Sequence, residues 1–197
     1  MAALDPADSL LRKHIHNLSS PELTTAVEIG GRYGFASVTL VGEYPSLSFE
    51  VRCESDDFLH RGKALVDPRY EDRITFTNVA SPPTMASTSD STKVFAYIIR
   101  NVFWNWTDLD AIKLLQTLLP TLRTNKSTRI LITDGVSPVS KQFPPHIEIA
   151  YRRRDITTMT MHNVKQRTQV EWLEMFSRVD PCLRVSVCQY YLDKANS

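Results

Sequence analysis

The strongest constraint on the fold is a strand, turn, helix and strand pattern near the start of the chain. Residues 25–29 form a short apolar run, and the sequence GGRYG at 30–34 is a glycine-rich turn. Helical spacing follows at 35–43, and apolar and polar side chains then alternate over 47–53, as in a strand. Parallel strands joined through a helix require a right-handed crossover, so the pattern predicts a βαβ unit in a parallel sheet.

The alternation of strands and helices continues along the chain. Further strands are predicted at 73–77, 94–99, 129–134 and from 183 to 187, and further helices at 108–122, 146–161 and 171–176 with Thr168 as a candidate N-cap. The polar segment 81–92 is too short to separate two domains. We therefore expect one α/β domain over 23–197, with a doubly wound sheet. It is preceded by a lead-in over 1–22 that contains a helix at 8–19.

Composition excludes several classes of protein. The chain has 197 residues, 42% hydrophobic and 23% charged, with a net charge of +1, which indicates a globular protein and predicts no direct nucleic-acid partner. The cysteines, Cys53, Cys182 and Cys188, form no Cys-x-x-Cys pair and lie near no histidine cluster, so we expect reduced thiols and no metal. Neither a signal peptide nor a membrane span is predicted, and a cytoplasmic location is expected, with the nucleus as the alternative.

The most specific motif is AYIIRNVFWNWTD at 96–108. It resembles the general-base segment of plant- and fungal-type, S-adenosyl-L-methionine-dependent O-methyltransferases of small molecules. That segment usually reads Arg-His-apolar-apolar-His-Asp-Trp-x-Asp. The flanking Arg, Trp and Asp are kept here, but Trp104 stands at the position of the base and Asn105 at the Asp after it. The resemblance extends over nearly the whole chain and implies a Rossmann-like class I methyltransferase sheet.

The glycine-rich turn, VEIGGRYG at 27–34, resembles the cofactor motif of the same family. The resemblance implies that S-adenosyl-L-methionine is the cofactor and that its contacts include Glu28, Gly30, Gly31 and Gly34. Arg32 replaces a third glycine, and its side chain is expected to project into the space of the methionine portion.

Two other cofactor positions depart from the family pattern. The family ends its second strand with an acid that accepts both ribose hydroxyls, and Cys53 stands there, whose thiol is a weak acceptor. Glu54 or Asp56 could substitute for it. Ala80 occupies the position of an Asp beside the adenine.

The catalytic positions are altered in the same way. Gln166, in VKQRT at 164–168, replaces the Glu that braces the catalytic His in the family, and Glu148 loosely corresponds to another family acid. Tryptophan offers only an N–H donor, and amides do not titrate. His162 is the candidate substitute base and His146 the second choice, since a general base needs a pKa near neutrality. The alternative is that both are surface or packed histidines.

Family members usually carry an N-terminal helical domain that dimerises and closes the substrate pocket. The chain is expected to lack that domain and to bind a protein partner in its place. The function that the resemblance implies is methylation of phenolic or polyketide hydroxyls in fungal secondary metabolism, weakened or abolished by loss of the base and the ribose acid. Two alternatives stay open: a non-catalytic transcriptional co-activator or scaffold of a biosynthetic cluster, and a ring-forming, pericyclase-like enzyme that uses the same pocket.

Overall fold

The central element is a parallel sheet. The computed structural model describes residues 15, 24–79, 94–139 and 143–185. Its strands are β1 (Thr25–Ile29), β2 (Ser48–Cys53), β3 (Ile74–Asn78), β4 (Val94–Arg100) and β5 (Arg129–Thr133), in the five-stranded order β3-β2-β1-β4-β5. All four pairings are parallel. The order runs outward from β1 in both directions, which is the doubly wound arrangement, so the predicted sheet is confirmed.

Helices alternate with these strands. They are α1 (Phe35–Leu40), α2 (Asp56–Leu65), α3 (Asp108–Thr124), α4 (Pro145–His162) and α5 (Gln169–Val179), with short 3₁₀ helices at Pro68–Arg73 and Phe103–Asn105. A capping box starts α5, because the Thr168 side chain accepts from the Glu171 N–H and the Glu171 carboxylate accepts from the Thr168 N–H. The predicted N-cap at Thr168 is confirmed.

The chain divides into two compact units. The first, here called the sheet unit, is 1–100 with 117–133, and the second, the helical unit, is 101–116 with 134–197. The core of the sheet unit consists of apolar side chains on β1 to β4 and α1, which the β1-α1-β2 pattern places on one face: Ala26, Ala36, Leu40, Phe49, Val51, Ile74, Phe76, Ala96 and Ile98. Ile15 is helical and joins this core.

Several predicted boundaries differ from the structure. The helix predicted at 35–43 ends at Leu40, because the chain turns there and the Glu43 and Tyr44 N–H groups both donate to the Leu40 carbonyl. The helix α2 was not predicted. The predicted last strand is wrong over 183–185, which carry no strand, and 186–187 lie outside the described residues. The lead-in helix at 8–19, apart from Ile15, and the boundary at 22/23 also lie outside them.

Candidate functional site

In an open parallel sheet, ligands bind at the carboxyl ends of the strands. The glycine-rich turn follows β1 at that edge and closes through short backbone bonds. Gly34 N donates to Gly31 O at 2.7 Å, and Gly30 N donates to the carbonyl of Arg52 at 3.0 Å. Gly30 and Gly34 have φ of 67° and 70°, in the left-handed region that favours glycine. The sequence motif therefore forms the turn that was expected.

The acid of this motif is turned inward. Glu28 is buried, and its Oε2 accepts hydrogen bonds from the Ser37 N–H at 2.8 Å and the Ser37 hydroxyl at 2.6 Å. Burial raises the pKa of Glu28, while the two bonds from Ser37 oppose that shift. A Cβ at Gly31 would lie 2.6 Å from Glu28 Cγ, so the side chain fills the space that a glycine leaves. The carboxylate is thus bound to α1 through Oε2.

The residue in place of the third glycine packs against α2. Arg32 is an exposed residue with φ of 46°, and its Cζ lies 5.6 Å from the ring centroid of Phe58. The Tyr33 ring meets the same phenyl ring edge-on, with centroids 5.2 Å apart. The guanidinium of Arg32 therefore rests on the first turn of α2 as a cation–π contact.

β2 ends at Cys53, the position where the resemblance predicts that the family has an acid. Cys53 is fully buried, its Sγ lies 3.6 Å from the Thr77 carbonyl, and burial raises the pKa of the thiol. Asp56 accepts a hydrogen bond of 2.7 Å from the Asn78 amide. Glu54 is exposed and makes no hydrogen bond or ion pair with another described residue. Ala80 lies outside the described residues.

In the helical unit, Trp104 and His162 come together. Trp104 lies in the short helix Phe103–Asn105, and His162 ends α4. Their ring centroids are 5.0 Å apart with an interplanar angle of 88°. Both side chains are half-buried, as is Asn105, and neither ring of the pair forms a hydrogen bond to another described residue. The pair thus offers one N–H donor and one titratable imidazole to a ligand.

Gln166 stabilises the segment that carries Trp104. It is buried, and its Nε2 donates to the Trp104 carbonyl at 3.0 Å and to the Thr158 hydroxyl at 3.1 Å. Its backbone N–H donates to Asp155 Oδ1 at 2.8 Å. The side chain is therefore a neutral structural link between α4 and the segment of Trp104.

Glu148 lies far from the pair. It belongs to the first turn of α4, as does His146, whereas His162 is the last residue of that helix. At 1.5 Å per residue, Glu148 and His162 are about 21 Å apart along the axis. The structure does not bring Glu148 to the Trp104–His162 pair, and His146 lies farther from His162, about 24 Å along the same axis.

Arg167 was missed in the sequence. It is buried, and its guanidinium donates to the Phe103 carbonyl, the Trp106 carbonyl and Asp108 Oδ1, each at 2.7 Å. It also lies 5.2 Å from the Trp172 ring centroid. One side chain thus fixes the whole 103–108 segment. No local signal predicts this role, because the partners lie 59 to 64 positions away in sequence.

Asp134 fixes the start of the same segment. It follows β5, and its carboxylate accepts hydrogen bonds of 2.7 Å from the Phe103 N–H and from the Gly135 N–H. Burial raises the pKa of Asp134 above its usual range, against those bonds and the positive charges of Arg154 and Arg167. An acid directly after an apolar strand, Arg129–Thr133, was the signal that could have identified it.

Over the described ranges, no group of three His, Cys, Asp or Glu side chains could hold a metal ion. In the same part of the chain, no helix has the length and apolar character needed to cross a membrane.

A parallel sheet of this order, with a glycine-rich turn after β1, defines a Rossmann-like domain of the type that binds nucleotide-like cofactors. The model of the O-methyltransferase domain family matches residues 6–179. The chain belongs to that family.

Curated relatives are fungal. The O-methyltransferase phnC of Penicillium herquei is 39% identical over 172 residues, which are 85% of this chain and 39% of the relative. The O-methyltransferase sol2 of Alternaria solani is 31% identical, over 79% of this chain and 36% of the relative. The chain therefore spans less than two fifths of the length of these relatives.

Solved structures agree on the fold. The methyltransferase CalO6 aligns with a TM-score of 0.69 and 17% identity, over 95% of this chain and 61% of that one. CalO1, described as a methyltransferase in calicheamicin biosynthesis in its SAH-bound form, aligns with a TM-score of 0.61 and 18% identity, over 87% of this chain and 48% of that one.

Proposed function

We propose that this chain is a degenerate O-methyltransferase domain of fungal secondary metabolism that has lost the general-base route to methyl transfer. The observation that carries the proposal is the position of Gln166, whose amide nitrogen donates to the Trp104 carbonyl. A glutamate there would direct a carboxylate at that carbonyl oxygen, so the position now suits an amide. Neither Trp104, Asn105 nor Gln166 can accept a proton from a hydroxyl at neutral pH.

Cofactor binding is weakened in the same proposal. The turn at 30–34 supports binding, because Gly30 and Gly34 adopt the left-handed backbone of a glycine-rich turn, whereas Cys53 offers only a buried thiol to the ribose hydroxyls. When bound, that cofactor supplies an electrophilic methyl group. Glu54 is the residue proposed to contact the ribose, through a single exposed carboxylate instead of a buried acid. The ligand class proposed for the Trp104–His162 pair is a small phenolic or polyketide compound.

Calorimetric titration with S-adenosylmethionine and with S-adenosylhomocysteine tests cofactor binding. We expect weak binding or none in the wild type and tighter binding in Cys53→Asp, with Cys182→Asp as the matched exposed control. Turnover is then measured as S-adenosylhomocysteine release with a panel of phenols. Turnover by the wild type that is lost in His162→Ala would overturn the proposal, because a general-base route through that imidazole would then remain.

One observation favours a second candidate, residual methyl transfer with a displaced base. The imidazole of His162 packs 5.0 Å from the Trp104 ring, so it lies beside the position of the lost base. In this candidate His162 takes the proton of an acidic phenol while the Trp104 N–H donates to the phenolate oxygen. Wild-type turnover that rises with pH through the titration of a histidine, and that is lost in His162→Ala and in His162→Gln, would establish it.

A further inference from the structure

The outward side of α4 carries exposed apolar residues in a row. Ile149 and Ile156 are 49% and 64% exposed, and their spacing of seven positions places them on one side of the helix, about 10 Å apart. Thr158 is the buried residue of this helix, at 1% exposure. It lies nine positions, or two and a half turns, from Ile149, so the isoleucines point away from the packed side.

The same side is positively charged. Arg152 and Arg153 lie between the two isoleucines and are exposed. The Arg153 guanidinium makes no hydrogen bond or ion pair with another described residue, and the Arg152 guanidinium makes a long bond of 3.5 Å to the Pro138 carbonyl. The acid that follows them, Asp155, accepts the Gln166 N–H and is directed inward.

We propose that this outer face of α4, formed by Ile149, Arg152, Arg153 and Ile156, docks an acidic amphipathic helix of another protein. A helix fits because the face is a straight ridge of two turns, against which a second helix packs ridge into groove. Acidic flanks fit because they pair with both arginines while the apolar stripe covers the isoleucines. A second copy of the chain is disfavoured, since two identical faces would bring arginines against arginines. The inference goes beyond the proposed function and needs neither cofactor nor turnover.

The test uses the full chain and two synthetic peptides. One is an 18-residue helix-forming peptide with leucines on one side and glutamates flanking them, and its match carries lysines instead of the glutamates. Fluorescence anisotropy should show saturable binding of the acidic peptide that weakens as salt rises. Arg153→Glu and Ile156→Glu should each weaken binding by about tenfold or more. Arg61→Glu, at an exposed arginine of α2, should leave it unchanged, and circular dichroism confirms that each variant is folded.

Three results would overturn the proposal: no binding of the acidic peptide, equal binding of the lysine peptide, or equal weakening by Arg61→Glu. Sedimentation velocity is run on the same proteins. A wild-type dimer that Ile156→Glu converts to a monomer would show that a second copy covers the face and would also overturn it. Because no cofactor is present in these measurements, their failure is distinguishable from failure of the proposed function.

Discussion

The side-chain amide of Gln166 donates a hydrogen bond of 3.0 Å to the backbone carbonyl of Trp104. These are two of the positions that the resemblance predicts to depart from the family motif, and they are in direct contact across 62 positions of sequence. The acceptor is the backbone of Trp104, so the residue at 166 meets this carbonyl whichever side chain stands at 104.

Gln166→Glu should lower the free energy of unfolding by about 1–3 kcal/mol at neutral pH, because the new carboxylate loses the donor to Trp104 and faces the carbonyl oxygen in a buried place. Urea denaturation measures the change. Gln116→Glu makes the same substitution at an exposed position of α3 and should cost no more than about 0.5 kcal/mol. Equal effects of the two variants would show that the hydrogen bond to Trp104 is not needed for stability.

Arg167→Ala should be among the most damaging single changes in the helical unit. It removes the donors to two backbone carbonyls and the partner of Asp108, which we expect to cost about 3–5 kcal/mol. Thermal and urea denaturation measure the loss, and Arg61→Ala, which breaks the exposed ion pair with Asp57, should change stability by less than about 1 kcal/mol. If Arg167→Lys is as stable as the wild type, the fork geometry of the guanidinium is not what holds the segment.

Stability should decrease as pH rises, because burial raises the folded-state pKa of Glu28 and of Asp134. The folded state then holds the proton more tightly than the unfolded state. This contribution to the free energy of unfolding is fully present below the ordinary carboxyl pKa and is lost as pH rises through the raised folded-state pKa. Above that pKa the two groups add no further dependence of stability on pH. Urea denaturation at a series of pH values measures the slope.

Glu28→Gln and Asp134→Asn should each reduce that slope, whereas Glu54→Gln, at an exposed carboxylate, should not. A slope that is the same in the wild type and in Glu28→Gln would contradict the buried position of this carboxyl group.

Gly31→Ala should destabilise the sheet unit by about 1–3 kcal/mol through overpacking, because the added Cβ overlaps the Glu28 side chain. Glu28→Ala removes that side chain, so the double variant should cost less than the sum of the single changes. A double-mutant cycle by urea denaturation gives the coupling. Additive costs would show that the Cβ added at position 31 is in conflict with the backbone of the turn and not with the Glu28 side chain.

The sequence predicted most of the sheet because β1, β2 and β4 carry apolar or alternating runs bounded by turn residues. It did not reveal α2, a mainly polar helix with one buried residue, although Ser55 followed by Asp56 and Asp57 is a helix N-terminus signal. The end of α1 at Leu40 depends on local turn bonds that periodicity does not encode.

The sequence predicted individual positions of the site but not the contacts between them. Family motifs located Trp104, Gln166 and Cys53, but not what these side chains contact. Trp104 contacts His162, and Arg167 forms hydrogen bonds to the 103–108 segment. Both sets of contacts join residues about 60 positions apart. Such contacts follow from tertiary packing, and no local pattern in one sequence reports them.

The hydrogen bonds from Ser37 to Glu28 give the acid of the glycine-rich motif a structural role. That acid fastens the first helix to the first strand, so selection on the fold alone is enough to retain it after a cofactor is lost. Gly31 leaves room for that carboxylate, because a Cβ there would overlap Glu28 Oε1. A match to this motif therefore indicates how the first strand, the turn and the first helix pack together. Affinity for a ligand has to be measured separately.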